Sequence, residues 1–277
     1  MDMLIDGYAA SEERDWPSLY HYQQAILFKL DILERLGKEE EFVQLARANA
    51  DISDASLRLA EKLKSDGDVK AAIDTAEYYS KNLREPEVEG LNRFLAETYE
   101  EMGNYEKAIE KYYEMYVTLD VFEYYERLRE LAAQTNTWPQ VFESVVNNAG
   151  KWRGSKERAL SEIYLREGMH KEAAQVAFKT EDLVVLEMVA EGIKGTHPVE
   201  SYELYKKLVD LYLDGHMWRA SYRQAAGFLM RMKRIGFDAE FNSYVEELTG
   251  RFWRRRALID EIRQVATSFY YQSQLSY

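Results

Sequence analysis

Residues 89–116 read EGLNRFLAETYEEMGNYEKAIEKYYEMY, and two apolar stripes of helical spacing meet in them at a single glycine. Before Gly103, residues Leu91, Phe94, Leu95, Tyr99 and Met102 fall at i, i+3, i+4, i+8 and i+11; after it, Tyr105, Ala108, Ile109, Tyr112 and Tyr116 repeat the face. A glycine at that point supplies the positive φ that ends one helix and lets the next fold back at once. The stretch therefore predicts two short antiparallel helices whose tightest crossing is at Ala108. Such a pair cannot bury both of its apolar faces alone, so it needs stacked neighbours.

The unit recurs along the chain. Around Gly67, residues Leu59, Ala60 and Leu63 stand against Val69, Ala72, Ile73 and Ala76. Around Gly37 the returning stripe is Phe42, Leu45 and Ala46, and around Gly168 residues Leu160, Ile163 and Tyr164 pair with Ala173, Val176 and Ala177. A longer, looser version surrounds Gly215. From Gly103 to Gly168 there is room for one more unit, centred on Thr135–Pro139, where Trp138-Pro139 opens a helix. A period in the thirties, repeated five or six times, predicts a helical solenoid.

Bulk properties narrow the setting. The 277 residues contain no cysteine, which excludes disulfides, thiolate zinc sites and cysteine nucleophiles and fits a reducing cytoplasm. The first residues, MDMLIDGYAA, lack the basic and long apolar segments of a secretory signal, and no run approaches the ~20 apolar residues of a membrane helix. Residues 1–150 hold 16 Lys and Arg against 31 Asp and Glu, whereas residues 151–277 hold 20 against 18. The acidic half repels a phosphate backbone and attracts basic partners, although acidity of this kind also serves solubility alone.

The helix pairs have a named likeness. Ala96, Tyr99, Gly103, Tyr105, Ala108, Ile109 and Tyr112 resemble the small, aromatic, glycine, aromatic, alanine and aromatic positions of the tetratricopeptide repeat. Ala60, Gly67, Ala72 and Ala76 repeat the match, as do Leu160, Tyr164, Gly168 and Ala173, while Asp120 stands where many such repeats place a proline. The resemblance implies an all-α fold: a right-handed superhelix of five to seven helix pairs with a divergent C-terminal bundle. It divides the chain into repeats over 1–192 and divergent pairs over 193–277, with the linker-like GIKGTHP at Gly192–Pro198 between them. A second likeness is to the helical region of prokaryotic SWIM zinc-finger proteins, carried by the order of helical pairs and by Phe237, Phe241, Tyr244 and Leu248 followed by Arg254-Arg255-Arg256-Ala257-Leu258. That family's CxCx(n)CxH metal motif is absent, so its zinc function transfers to no residue here.

In tetratricopeptide arrays the first helix of each pair lines a concave groove. The resemblance places Asp31 and Glu34, then Glu61, then Glu97, Glu100 and Glu101, then Glu162 at groove-facing positions. They form a candidate acidic strip for a basic or disordered protein partner, or a plain solvated face. The family's carboxylate clamp needs Lys and Asn there, so binding of acidic tails is not expected. The dense basic run is Arg251-Phe252-Trp253-Arg254-Arg255-Arg256. Arginines among aromatics grip phosphates and stack on bases; the competing expectation is that Phe252, Trp253, Leu258 and Ile259 pack inward while the arginines pair with Glu246, Glu247, Asp260 and Glu261. Nucleic-acid binding by this chain alone is not expected.

Other patterns promise less. The tyrosine pairs 78–79, 112–113 and 124–125 read as one core and one boundary residue each. His21, His170, His197 and His216 form no ligand pattern, and Glu167-Gly168-Met169-His170 is a single ExxH broken by a turn glycine, where a di-iron bundle needs two copies and two more glutamates. No nucleophile, acid–base pair, phosphate loop, metal set or cofactor motif is present. The sequence thus points to a cytoplasmic, non-enzymatic scaffold for a protein partner. The alternative is a helper of a SWIM-type DNA-binding module supplied upstream or by another chain.

Overall fold

The computed structural model describes residues 16–83, 87–150, 155–215 and 219–274. The expectations for the first ten residues and for His216 fall outside them. Every regular element among the described residues is a helix. In the first of two compact units, Met1–Asn147, they are α1 (Trp16–Arg35), α2 (Glu39–Ala48), α3 (Ser53–Ser65), α4 (Val69–Asn82), α5 (Glu89–Glu101), α6 (Tyr105–Leu119), α7 (Phe122–Gln134) and α8 (Trp138–Asn148). In the second, Asn148–Tyr277, they are α9 (Lys156–Arg166), α10 (His170–Phe178), α11 (Leu183–Ile193), α12 (Pro198–Gly215), α13 (Arg219–Ile235), α14 (Asp238–Arg251) and α15 (Arg256–Gln274). The fold class is all-α, built from tetratricopeptide-like helix pairs.

One turn makes the pairs. Gly103 adopts φ +73°, its N–H donates to the Glu100 carbonyl (2.9 Å), and the Asn104 N–H donates to the Tyr99 carbonyl (2.8 Å). These two bonds satisfy carbonyls that the end of α5 would leave open, and the left-handed residue between them reverses the chain. The Asn104 Oδ1 then accepts from the Lys107 N–H (3.4 Å), capping α6. The same pair of backbone bonds closes the turns at Gly37, Gly67 and Gly168. It also closes α7–α8, where Asn136 takes φ +56° and does the work of a glycine. Three other left-handed residues escape the repeat pattern, one of them Gly150 (φ +71°) after α8. Asp120 (φ 55°) ends α6 at the position where the resemblance expects a proline, and Gly236 (φ +101°) separates α13 from α14. Gly215, read as a turn glycine, is the last residue of α12.

Stacking follows the pairing. In the first unit α1 packs on α3 and α3 on α5; in the second α9 packs on α11 and α10 on α12. Two helical glycines allow these close approaches: a Cβ on Gly90 would lie 3.0 Å from Leu57 Cδ2, and one on Gly192 only 2.8 Å from Leu165 Cδ2. Gly192 is therefore a packing residue inside α11, and the expected linker shrinks to the short turn before Pro198. At the α5–α6 crossing Ala96 and Ala108 are fully buried, with Tyr99 and Tyr112 closing over them. Met102 and Tyr105, read as members of the stripes, are exposed at the hairpin tip because they flank the turn itself. Of the tyrosine pairs, Tyr112 and Tyr113 divide as expected into a buried and a half-buried residue, and the other two do not. Tyr124 and Tyr125 are both buried, while Tyr78 is exposed and Tyr79 half-buried. Tyr125 anchors an aromatic chain through Tyr116 (5.2 Å between centroids), Trp138 (5.8 Å) and onward to Phe142.

Two stability effects are expected. Gly103→Ala meets no neighbour within 4 Å, so its penalty is that of a left-handed backbone alone, a loss of about 1 kcal/mol in urea unfolding. Asn92 is buried in α5 with an Oδ1 that meets no donor among the described residues, so Asn92→Leu raises stability by about 1 kcal/mol in the same assay.

Candidate functional site

The first helices carry the predicted carboxylates, and the structure sorts them into two groups. Asp31 of α1 is bound by Arg58 of α3. Glu101 of α5 is bound by Lys64 of α3 (2.7 Å), which also donates to Thr98 Oγ1 (3.2 Å). Glu100 is held by two donors of Arg127 on α7, the Nε bond being 3.1 Å. Glu162, in the second unit, pairs within its own helix with Arg158 (3.1 Å). These four acids tie helices together or steady one helix.

Glu34, Glu61 and Glu97 are different. They lie on α1, α3 and α5, they are exposed, and none makes a hydrogen bond or ion pair among the described residues. They are also close enough to feel one another. The Glu61 carboxyl is pushed above its ordinary value by partial burial first and by the charges of Glu34 and Glu97, against the opposing pull of Arg58. Glu97 extends the row into a cleft of about 340 Å³ lined by Arg93, Tyr112, Tyr124 and Arg127 among others. Burial, aided by the charge of Glu97, raises the Tyr112 phenol above its usual range, so it stays a neutral donor.

The opposite side of the α4–α6 stack carries a tie that the sequence pattern does not announce. Tyr99 of α5 donates to Glu77 of α4, and Lys107 of α6 reaches both Glu77 (3.2 Å) and the Tyr99 hydroxyl (3.2 Å). The Tyr99 bond, and then Lys107, hold the Glu77 carboxyl below its ordinary value. Tyr99 and Lys107 occupy positions that read as core and surface, and only their spacing across the Gly103 turn brings them together.

No protein-family model matches the chain, and no curated protein does. Solved structures of tetratricopeptide proteins are similar to it. The C-terminal part of a TPR repeat-containing protein from Cytophaga hutchinsonii shares 12% identity over 84% of this chain and 98% of that one, with a TM-score of 0.35. A tetratricopeptide repeat protein from Parabacteroides merdae shares 13% over 87% and 98%, with a TM-score of 0.36. The nearly identical TPR-like repeats of a putative kinesin light chain from Podosopora anserina share 15% over 78% and 95%, with a TM-score of 0.28. At these scores the fold reading rests on the helix pairs and their turns.

The basic run is arranged otherwise than its sequence neighbours suggested. Arg251 binds Asp214 (2.7 Å) and Asp210 (3.3 Å) of α12, and Arg255 Nη1 donates to the Leu213 carbonyl (2.7 Å). The acids on its own helices were the expected partners, but helix packing brings α12 nearer. Phe252 and Leu258 pack inward as expected, whereas Trp253 is 66% exposed with Arg254 stacked on its ring (4.8 Å). Arg256 opens α15 at the surface. Among the described residues no group of three or more His, Asp and Glu is placed to hold a metal ion, and no helix is long and apolar enough to cross a membrane.

The row of three glutamates makes a pH prediction. A carboxyl whose folded pKa is raised binds protons more readily in the folded state, so its contribution to stability is lost as pH rises from the ordinary value of 4.5 through the raised one. Glu61→Gln therefore stabilises the protein at pH 7 by roughly 0.5 kcal/mol or less, as befits an exposed position, and the gain disappears near pH 4. Thermal unfolding of both proteins at the two pH values checks it.

Proposed function

We propose that this chain is a non-enzymatic scaffold that receives the basic, extended segment of a protein partner along Glu34, Glu61 and Glu97. The observation that carries the reading is the sorting of the acids. Where a carboxylate on these helices joins helices, a cation bonds it from a neighbour; these three bond to none among the described residues, and the Glu61 carboxyl stays raised although the charge of Arg58 opposes burial and the charges of Glu34 and Glu97. A chain of lysines and arginines laid across the stacked helices would relieve the repulsion among the three and meet one carboxylate per helix pair. The cleft beside Glu97, walled by Tyr112 and Tyr124, would take an aliphatic stem or a guanidinium of the same segment. The absence of cysteine suits a cytoplasmic setting.

The expected result is that a fluorescein-labelled peptide alternating Lys and Arg with Gly binds the protein by anisotropy, and that affinity falls steeply between low and moderate salt. Glu34→Gln/Glu61→Gln/Glu97→Gln weakens binding at least tenfold, while the fold is retained. Equal binding of an uncharged peptide, or an unchanged affinity in the triple variant, overturns the reading.

A further inference from the structure

A second cleft belongs to the second unit, and its lining holds three cations against two carboxylates. It encloses about 650 Å³ between the last turns of α11 and α13 over the middle of α12, a volume within the usual range for small-molecule sites. Met188 and Ile235 give it apolar walls and Tyr205 an aromatic one. Its charged lining is Glu187, Glu191, Lys194, Arg231 and Arg234, and both carboxylates are already engaged. Arg231 Nη1 binds Glu187 across α11 and α13 (2.7 Å). Glu191 accepts from the Tyr205 hydroxyl (2.6 Å) and from Lys194, whose bond chiefly holds its carboxyl ionised below the ordinary value. Burial and the bond to Glu191 raise the Tyr205 phenol, so it remains a fixed donor. Arg234 is exposed, lines the cleft, and makes no ion pair or hydrogen bond among the described residues.

We propose that this cleft binds a small organic anion, an apolar body carrying one carboxylate. The body would lie between Met188, Ile235 and the Tyr205 ring, and the carboxylate would take the planar fork of the Arg234 guanidinium, with Arg231 beside it. A guanidinium suits this role because it presents two parallel donors to two carboxylate oxygens. The acidic partners that would otherwise compete for it are occupied by Lys194, Tyr205 and Arg231. The residues are distinct from the glutamate row of the first unit, and the ligand has the opposite charge, so failure of either proposal leaves the other intact.

Octanoate and its neutral counterpart 1-octanol are the probes, read by the methyl signal of Met188 in protein labelled at its methionine methyls. Octanoate shifts that signal saturably with a dissociation constant on the order of 1 mM, as ten heavy atoms allow, and octanol shifts it at least tenfold more weakly. Arg234→Gln, which disturbs no bond in the structure, weakens octanoate at least fivefold while the other methionine signals stay in place. Three results overturn the proposal: a Met188 methyl that does not move, octanol binding as well as octanoate, or Arg234→Gln leaving the affinity unchanged. The last would mean that Arg234 serves only the negative end of α13.

Discussion

Everything in this fold depends on a turn that fits in two residues. A helix that must reverse at once has to satisfy its last carbonyls without continuing, and a single left-handed residue flanked by two backbone hydrogen bonds does both. Because the turn at Gly103 is so short, the two helices start their contact within one turn of the reversal, and only a residue as small as Ala108 fits at the crossing. The apolar faces that remain uncovered then force the next pair to stack. Local backbone chemistry thus sets pair geometry, and pair geometry sets the need for repetition.

That chain of causes explains what could be read in advance. Gly37, Gly67, Gly103 and Gly168 are legible because glycine is the residue that most easily takes a positive φ, and the stripes on either side keep helical spacing. The turn at Asn136 was placed by the gap in the repeat and by Trp138-Pro139, not by its own residue; asparagine tolerates the left-handed region but seldom announces it. Asp120 and Gly236 lie between repeats and had no stripe to mark them. Gly192 was misread for the opposite reason. A glycine in an apparent linker looks like a hinge, and only the nearness of Leu165 reveals that it is there for want of a side chain.

The candidate site was half legible. Sequence register put all seven acids on first helices, but it is blind to what stands across from each. Arg58, Lys64 and Arg127 lie 27 to 37 positions from the acids they hold, and no local pattern links them. Only after those pairs are set aside do Glu34, Glu61 and Glu97 emerge as a separate row. The counter-charges of the basic run were hidden in the same way. These, Asp210 and Asp214, come from two helices earlier. Distance along the chain is a poor guide to electrostatics in stacked helices, because each helix faces the next pair as closely as it faces its own.

The inter-pair ties bear on how such an array could be shortened or recombined. Asp31 in the first pair relies on Arg58 in the second, Glu101 in the third on Lys64 in the second, and Glu100 in the third on Arg127 in the fourth. Each pair therefore supplies a counter-ion to a neighbour or takes one from it. Cutting the chain at a pair boundary removes an apolar face and at the same time strands a carboxylate among carboxylates. The pairs look like interchangeable modules in their turns, but in their charges they are parts fitted to one particular order.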